Sequence, residues 1–262
     1  RLAKVRGYKL AAPRSEKAFR LKYRNWFVEV GDSRTNAATV WLESPERREF
    51  EGVVFSPGAP PITEGCYNLF RGFPIAPVRG DCSLYWTHVC ENICGGDAER
   101  YTFVRKWMAH PIQSPEGRPG TALVLRGAPG TGKGVFVDLY SSLFGPYFLP
   151  VLDIDQVTGK FNGHLMNMLL VHINEAISGG DRKAAARLKG MITEREISYE
   201  FKGVDRIPGQ SFLHFIIASN EDVPVLIDRD DRRFFVLDVS DAHREDRDYF
   251  AAIINQFEHG GR

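Results

Sequence analysis

A glycine-rich stretch with one lysine is the part of this chain whose residue types point most directly to chemistry. Residues 127–134, the glycine loop, read GAPGTGKG and match the phosphate-binding pattern G-x-x-x-x-G-K. Glycines let consecutive backbone N–H groups turn toward one anion, and the N-terminus of a following helix adds partial positive charge. We predict that the whole loop contacts a nucleotide: Gly127, Ala128, Pro129, Gly130, Thr131, Gly132, Lys133 and Gly134.

The residue after the lysine departs from the usual form of this pattern. That position commonly carries Ser or Thr, whose hydroxyl binds Mg²⁺, and here it is Gly134. The sequence therefore predicts phosphate binding more directly than it predicts how a metal ion is held.

Further polar side chains stand where predicted buried strands end. Glu175 follows one such strand, Asn220 follows another, and Arg232 and Arg233 lie in the turn before a third. Ligands of parallel α/β sheets bind outside the carboxyl ends of the strands, and phosphoryl transfer needs a carboxylate, an orienting amide and cations. Each residue also has a structural explanation: a helix-capping acid for Glu175, a turn residue for Asn220 and a solvated, salt-bridged face for the arginines.

The elements that must position these residues alternate in type. Residues 121–126, before the glycine loop, form a short apolar run typical of a buried strand, and residues 133–144 continue as a helix. The later predicted strands span residues 168–173, 196–202, 211–219 and 233–239, and the later helices span 181–195 and 246–258. Residues 203–209 read as a turn between two of these strands. The fold class is therefore α/β, with a parallel sheet covered by helices.

The chain before the glycine loop is less regular. Residues 1–24 are basic and read as a linker or helical arm, for which a solvated charged face is the simpler account. Short strands are predicted at residues 26–30, 39–42 and 52–55, a proline-rich extended connection at 56–79, and helices at 84–93 and 98–109. Asp97 is expected to cap the second helix and Pro111 to stop it. We predict a collar-like N-terminal region over 1–110 and a nucleotide-binding domain over 111–262.

Composition limits the remaining possibilities. The 262 residues carry 34 Lys and Arg against 33 Asp and Glu, so no global basic field announces a nucleic-acid binder. No apolar run approaches the ~18 residues of a membrane span, and no signal peptide opens the chain. We expect reduced cysteines, with zinc held by Cys82, His88, Cys90 and Cys94 as an alternative. The absence of an initiator Met suggests a domain excised from a longer polypeptide, with removal of the start by processing as the alternative.

Five segments together resemble a known family. GAPGTGKG, MLLVHINEA, LKGMITE, FKGVDRIPGQSFLHFIIASN and DRDDRRFFVLDVSD occur in the order found in superfamily 3 helicases. They are more similar still to the helicase part of phage and plasmid primase-helicases or primase-polymerases. The resemblance covers roughly residues 45–240.

The resemblance implies a P-loop NTPase of AAA+-like fold that uses ATP and Mg²⁺. It implies a ring of identical chains, commonly hexameric, that moves along single-stranded DNA in the cytoplasm of a host cell, with a primase or polymerase domain upstream. Glu175 would activate water and hold Mg²⁺ through water, and Asn220 would act as the sensor amide. Arg232 or Arg233 would reach the neighbouring subunit's nucleotide, and Lys189 matches the motif between these residues.

The segment over residues 196–219 would form the hairpin that enters the ring's channel. Lys202, with Arg206 as second choice, would then contact DNA phosphates, although a solvated hairpin charge explains both residues as well.

A second departure concerns Asn174, which stands where this family commonly has an acid. Two other functions therefore stay open: a non-hydrolysing nucleic-acid-binding or scaffold module with a degenerate nucleotide site, and a small-molecule kinase with the same loop. The kinase leaves the hairpin and the arginines unexplained.

Overall fold

The computed structural model describes residues 2–5, 8–11, 15–174, 182–203, 205–220 and 231–261, with backbone alone for 2–5, 8–11 and 261. The chain divides into two compact units, Arg1–Arg71 and Gly72–Arg262. The predicted boundary after residue 110 differs from this division, because the helices that follow residue 82 share the unit of the glycine loop.

The first unit is a series of small elements. Strands β1 (Leu2–Val5) and β2 (Tyr8–Ala11) pair antiparallel, and helix α1 (Glu16–Lys22) follows. Strands β3 (Phe27–Val30) and β4 (Ser33–Asn36) form a hairpin that leads into helix α2 (Ala37–Glu43). A three-stranded sheet of order β5-β7-β6 closes the unit, with β5 at Val53–Val54, β6 at Ile62–Thr63 and β7 at Cys66–Asn68.

One predicted strand of this unit is wrong. Residues 39–42 were expected to be extended because they contain Thr, Val and Trp, but they lie in α2. The Asn36 side chain accepts a hydrogen bond from Ala38 N at 3.0 Å and so starts the helix. A local cap therefore outweighs the strand preference of β-branched residues.

Two helices precede the glycine loop in the second unit. Helix α3 (Ser83–Thr87) continues into a π-helical turn, His88–Ile93, and α4 (Ala98–Gln113) follows. The predicted cap is confirmed, since Asp97 accepts from Glu99 N and Arg100 N. The predicted stop at Pro111 is wrong. A proline in the last turn removes only one N–H donor, and the turn still closes through Ser114 N and His110 O at 2.8 Å.

A parallel sheet of order β14-β8-β13-β10-β9 forms the centre of this unit. Its strands are β8 (Ala122–Arg126), β9 (Phe148–Val151), β10 (Leu170–Asn174), β13 (His214–Ser219) and β14 (Phe234–Asp238). The helices between and after them are α5 (Lys133–Ser141), α6 (Asp155–Thr158), α7 (Arg182–Thr193) and α8 (Arg247–Gln256), with a π-helical turn at Phe257–Gly261. Two 3₁₀ turns, Gly145–Tyr147 and Gly163–Leu165, complete the connections.

This arrangement confirms an α/β fold with a parallel sheet flanked by helices. All six residues of β13 and the first four of β8 are buried, as expected for strands covered on both faces. Strand β9 was not predicted, because Pro150 argues against a strand. It lies at the sheet edge, where a missing N–H is tolerated.

The hairpin differs in its second arm. Strand β11 (Glu196–Tyr199) pairs antiparallel with β12 (Ile207–Gln210), and β13 is a separate strand of the parallel sheet. The predicted turn over residues 203–209 thus contains most of a strand. Pro208 and Gly209 are residues that disfavour strands, so the sequence did not indicate this one. The Tyr199 ring packs closely on Gly209 and leaves little room for a side chain there.

Candidate nucleotide-binding site

The glycine loop begins at the carboxyl end of β8 and bridges to the neighbouring strand. Gly127 N donates to Ser219 O on β13 at 3.2 Å. Gly130 and Gly132 have φ values of +79° and +90°, which L side chains rarely adopt. A Cβ atom on Gly132 would also lie 2.6 Å from the rings of His88 and Phe250. Backbone conformation and close packing therefore both require glycine at this position.

Lys133 is the first residue of α5 and is 8% exposed. Its ammonium group donates to Gly127 O at 2.5 Å, to Ala128 O at 2.8 Å and to Asn220 Oδ1 at 3.1 Å. Burial lowers the pKa of Lys133 from its usual value. The structure thus brings together the lysine and the amide that the sequence placed at the ends of two different strands.

A cavity of about 550 Å³ lies against the loop and has the size of a small-molecule site. It is lined by Pro129, Gly130, Thr131, Gly132, Lys133, Gly134, Val135, Asn220, Glu245, Arg247 and Phe250. The last three follow β14, and sequence reasoning did not assign them to the site. Only their packing on the loop identifies them, and no local pattern in the sequence signals that contact.

Two side chains of the π-helical turn support the loop from another direction. Asn92 Nδ2 donates to Thr131 O at 2.7 Å, and His88 Nε2 lies 3.2 Å from Gly132 O. Because a carbonyl only accepts, Nε2 carries the hydrogen, and Nδ1 accepts from the Tyr249 hydroxyl at 3.3 Å. Burial lowers the pKa of His88 to about 4, although the contact with Gly132 acts in the opposite direction. His88 is therefore neutral near pH 7.

The segment before α8 holds a third carbonyl of the loop. Glu245 N donates to Gly130 O at 2.9 Å, and Glu245 itself has a φ of +61°. The ring of His243 stacks on Tyr249 with centroids 3.7 Å apart. The carbonyl oxygens of three consecutive loop residues thus have donors from outside the loop, which fixes its backbone conformation.

The surroundings of Gly134 are open. A Cβ atom at this position would meet no heavy atom within 4 Å. Asn174 is exposed at the carboxyl end of β10, aligned with Ala218 on β13. Glu175, the predicted water-activating residue, lies outside the described residues. The missing hydroxyl at Gly134 therefore has no steric cause.

Arg232 and Arg233 do not join this group. They precede β14, whose first residue aligns with Ala122, so they lie at the amino-terminal edge of the sheet. A five-residue strand, about 16 Å long, separates them from the level of the loop. The prediction that both arginines lie with Lys133 at the carboxyl ends of the strands was wrong, because residues that precede a parallel strand lie at the opposite edge of the sheet.

The two arginines differ in their contacts. Arg233 Nη1 lies 3.3 Å from both Asp231 oxygens, and Lys189 Nζ lies 2.9 Å from Asp231 Oδ2. Arg232 is exposed. Lys189 and Arg233 thus share one carboxylate, whereas the Arg232 side chain is directed to solvent.

The hairpin residues also separate. Lys202 is exposed in the connection between β11 and β12, beside Gly203 with its φ of +77°. Arg206 Nε pairs with Glu200 Oε2 at 3.0 Å, and Lys160 lies 3.6 Å from the same carboxylate. Lys202 is therefore the better placed of the two to meet a ligand.

The zinc alternative finds no support in the part of the chain that the structure describes, where no three His, Cys, Asp or Glu residues are placed to hold a metal ion. All four cysteines are free thiols, and burial raises the pKa of Cys94 to about 12. Over the same residues, every helix is too short or too polar to cross a membrane.

A parallel α/β sheet with a glycine loop between a strand and a helix defines the class of this protein. Residues 125–233 match a family of unknown function, DUF5906. Over 207 residues the chain is 31% identical to a DNA primase-polymerase of Nitratiruptor phage NrS-1, a match that covers 77% of this chain and 27% of that protein. The chain thus spans about a quarter of the curated relative that it matches.

Solved structures extend this similarity. The apo C-terminal region of the NrS-1 protein, residues 305–718, matches with a TM-score of 0.68 and 27% identity over 86% of this chain and 59% of that one. A second apo form of the same region gives 0.66 and 26% over 86% and 58%. The chain is thus related to the C-terminal region of a phage replication protein.

Proposed function

We propose that this chain is the motor part of a phage replication protein: an ATP-dependent DNA helicase of superfamily 3 with an AAA+-like P-loop fold. The similarity to the C-terminal region of a primase-polymerase supports this proposal. The proposal includes an upstream primase or polymerase domain and action in the host cytoplasm, which the same similarity supports.

The position of the Lys133 ammonium carries the proposal. It lies between two loop carbonyls and the Asn220 amide, at the carboxyl ends of adjacent strands and beside the loop cavity. Its positive charge is largely removed from water, so an approaching phosphate meets a cation whose solvation has already been exchanged for protein contacts. Lys133 then binds the outer phosphates, and Asn220 orients the attacking water.

The residues present suit a magnesium ion held largely through water. The open space at Gly134 has room for a water molecule where other loops supply a hydroxyl, and Asn174 offers an amide oxygen. Magnesium keeps several waters in such sites and binds the nucleotide phosphates directly. When bound, it neutralises charge on those phosphates. Glu175 would hold its water shell and activate the attacking water.

The two remaining groups of cations suit contacts outside the chain's own cavity. Arg232 is exposed at the far edge of the sheet, which favours it over Arg233 as the residue that reaches a neighbouring subunit in a homo-oligomeric, hexameric ring. Lys202 is exposed in the hairpin connection and offers sequence-independent attraction to single-stranded DNA.

A second function is favoured by Gly134 and Asn174 together. Loss of both usual metal ligands also suits a nucleic-acid-binding or scaffold module that binds a nucleotide without hydrolysing it. Both functions predict that the chain binds a nucleotide, but only the motor predicts ATP hydrolysis.

Equilibrium binding of a fluorescent ATP analogue, followed by phosphate release with the same protein, separates them. The motor predicts binding and turnover that single-stranded DNA stimulates, and it predicts that Lys133→Ala abolishes both. Lys106→Ala, at an exposed lysine on α4, is the matched control. Binding without turnover, with DNA present and the mass of a ring confirmed, would assign the chain to the second function.

A further inference from the structure

Four aromatic side chains of the first unit form a continuous row. The ring centroids are 5.2 Å apart for Trp41 and Phe19, 5.0 Å for Phe19 and Tyr23, and 5.5 Å for Tyr23 and Trp26. With Ala37 they line a concavity of about 250 Å³, here called the aromatic pocket. Its volume suits one planar ring system and is too small for a helix.

The rings of the aromatic pocket are not a closed core. Trp26 is 61% exposed and Trp41 is 47% exposed, and Ala38 is the one buried residue of α1 and α2. Exposed aromatic rings grouped around a concavity are typical of a binding surface, since scattered surface apolar residues do not converge in this way.

The exposed charges on the stretch that carries Phe19, Tyr23 and Trp26 are mainly positive. Between residues 15 and 28 the acidic residue is Glu16, and it pairs with Arg20 at 2.7 Å. Lys17, Lys22 and Arg24 are exposed. Lys22 Nζ lies 4.4 Å from the centre of the Tyr23 ring and donates to its hydroxyl at 2.8 Å. The pocket therefore combines ring faces with cations on one short stretch of chain.

One contact joins the two halves of this surface. Arg20 Nη1 donates to Thr39 Oγ1 at 3.2 Å and so links α1 to α2, which carries Trp41. Arg20 thus helps to position the rings, and Lys17, Lys22 and Arg24 remain exposed on the stretch that carries three of them.

We propose that the aromatic pocket stacks an unpaired base of single-stranded DNA, with Lys22 and Arg24 contacting the adjacent phosphates. Stacking on aromatic faces beside cations is how proteins bind single strands without reading their sequence. A protein partner fits less well, because the cavity is small and three exposed cations lie on the stretch that carries three of its four rings. The proposal rests on the proposed function in taking single-stranded DNA as the ligand, and it assigns a contact separate from the hairpin.

Fluorescence anisotropy of the full chain with a labelled oligothymidine tests this site. Trp26→Ala and Trp41→Ala should each weaken binding by about 5- to 150-fold, the range for loss of one stacked base. Trp41→Phe, which keeps a ring, should recover most of the affinity. Leu152→Ala, at a 72% exposed residue of the second unit, should bind like the unsubstituted chain. An abasic oligonucleotide of equal length should bind the unsubstituted chain and both Trp→Ala variants equally.

Three results would overturn the stacking site. They are unchanged affinity for oligothymidine in both Trp→Ala variants, an equal loss on the abasic strand, and a change in oligomeric mass without a change in DNA affinity, which would make the pocket a protein contact. Circular dichroism of each variant shows that it is folded.

The test of the pocket and the test of the motor can fail separately, because one measures DNA binding and the other measures ATP turnover. Trp-dependent binding of oligothymidine by a chain that shows no ATP turnover would support the pocket and reject the helicase. Turnover without Trp-dependent binding would do the reverse.

Discussion

The glycine loop and the aromatic pocket are built in opposite ways. In the loop, glycine conformations, three carbonyls with external donors and a buried ammonium leave little freedom. In the pocket, half-exposed rings meet on short elements, and cations stand beside them. Substitutions in the loop therefore act through geometry and have large effects, whereas those in the pocket remove one contact at a time and have graded effects.

The sharpest test of loop geometry is Gly132→Ala. The new methyl group would meet the rings of His88 and Phe250 at 2.6 Å in a conformation with positive φ, so we expect nucleotide binding to fall by more than about 100-fold, since packed rings resist displacement. Titration with a fluorescent ATP analogue measures the loss. Gly95→Ala is the control, because Gly95 also has a positive φ but open space around it. Equal affinities in the two variants would show that packing around the loop does not matter.

Low pH should lower the folding stability of the chain through its buried histidines, one of which, His88, contacts the glycine loop. Burial lowers the pKa of His88 and of His172 to about 4 and that of His214 to about 3. Between these values and the ordinary pKa of 6.5 the unfolded chain binds more protons than the folded one, so stability falls as the pH drops from 6.5 toward 4. The pH-dependent contribution is at most about 3 kcal/mol for His88 and His172 and about 5 kcal/mol for His214.

Urea unfolding at pH 7 and pH 5 measures this dependence. His88→Gln should flatten it and weaken nucleotide binding together, whereas His172→Gln should flatten it alone. A slope unaffected by either change would contradict the assignment of these buried, neutral rings.

The pocket should respond to charge in small steps. Lys22→Gln and Arg24→Gln should each lower the slope of log affinity against log salt by about 1 and weaken oligothymidine binding several-fold at low salt. Anisotropy titrations over a range of salt concentrations give the slopes. Arg48→Gln, at an exposed arginine that does not line the pocket, is the control. Equal slopes in all three variants would remove these cations from the DNA contact.

The smallest expected effect is a gain. Gly134→Ser places a hydroxyl in open space, and we expect it to lower the Mg²⁺ concentration needed for half-maximal turnover by about 3- to 10-fold, as one weak ligand would. Gly134→Ala separates the hydroxyl from the loss of glycine. A serine variant indistinguishable from the alanine variant would mean that the ion lies elsewhere.

Most of the parallel sheet and the glycine loop could be predicted from the sequence, because each depends on a short local pattern of residues. The apolar runs gave β8, β10, β13 and β14, and the glycine motif gave the loop. Strand β9 and the second arm of the hairpin were not predicted, because Pro150, Pro208 and Gly209 disfavour strands in general. The structure tolerates these residues because β9 lies at a sheet edge and β12 lies in a two-stranded sheet.

The supporting residues of the site follow from tertiary packing, which no local pattern encodes. His88 and Asn92 lie about 40 residues before the loop carbonyls that they contact, and Glu245 comes more than 100 residues after. His88 was instead considered as a zinc ligand. The position of Arg232 and Arg233 at the amino-terminal edge of the sheet could be predicted from the sequence, because both residues precede a parallel strand.

DNA-stimulated phosphate release tests whether this chain is a motor. We predict that oligothymidine increases the rate of ATP hydrolysis by the unsubstituted chain and by Lys106→Ala, and that Lys133→Ala lowers it by more than about 100-fold, since the loop lysine contacts the phosphates that react. Turnover that persists in Lys133→Ala would contradict the proposed role of the glycine loop and with it the motor function.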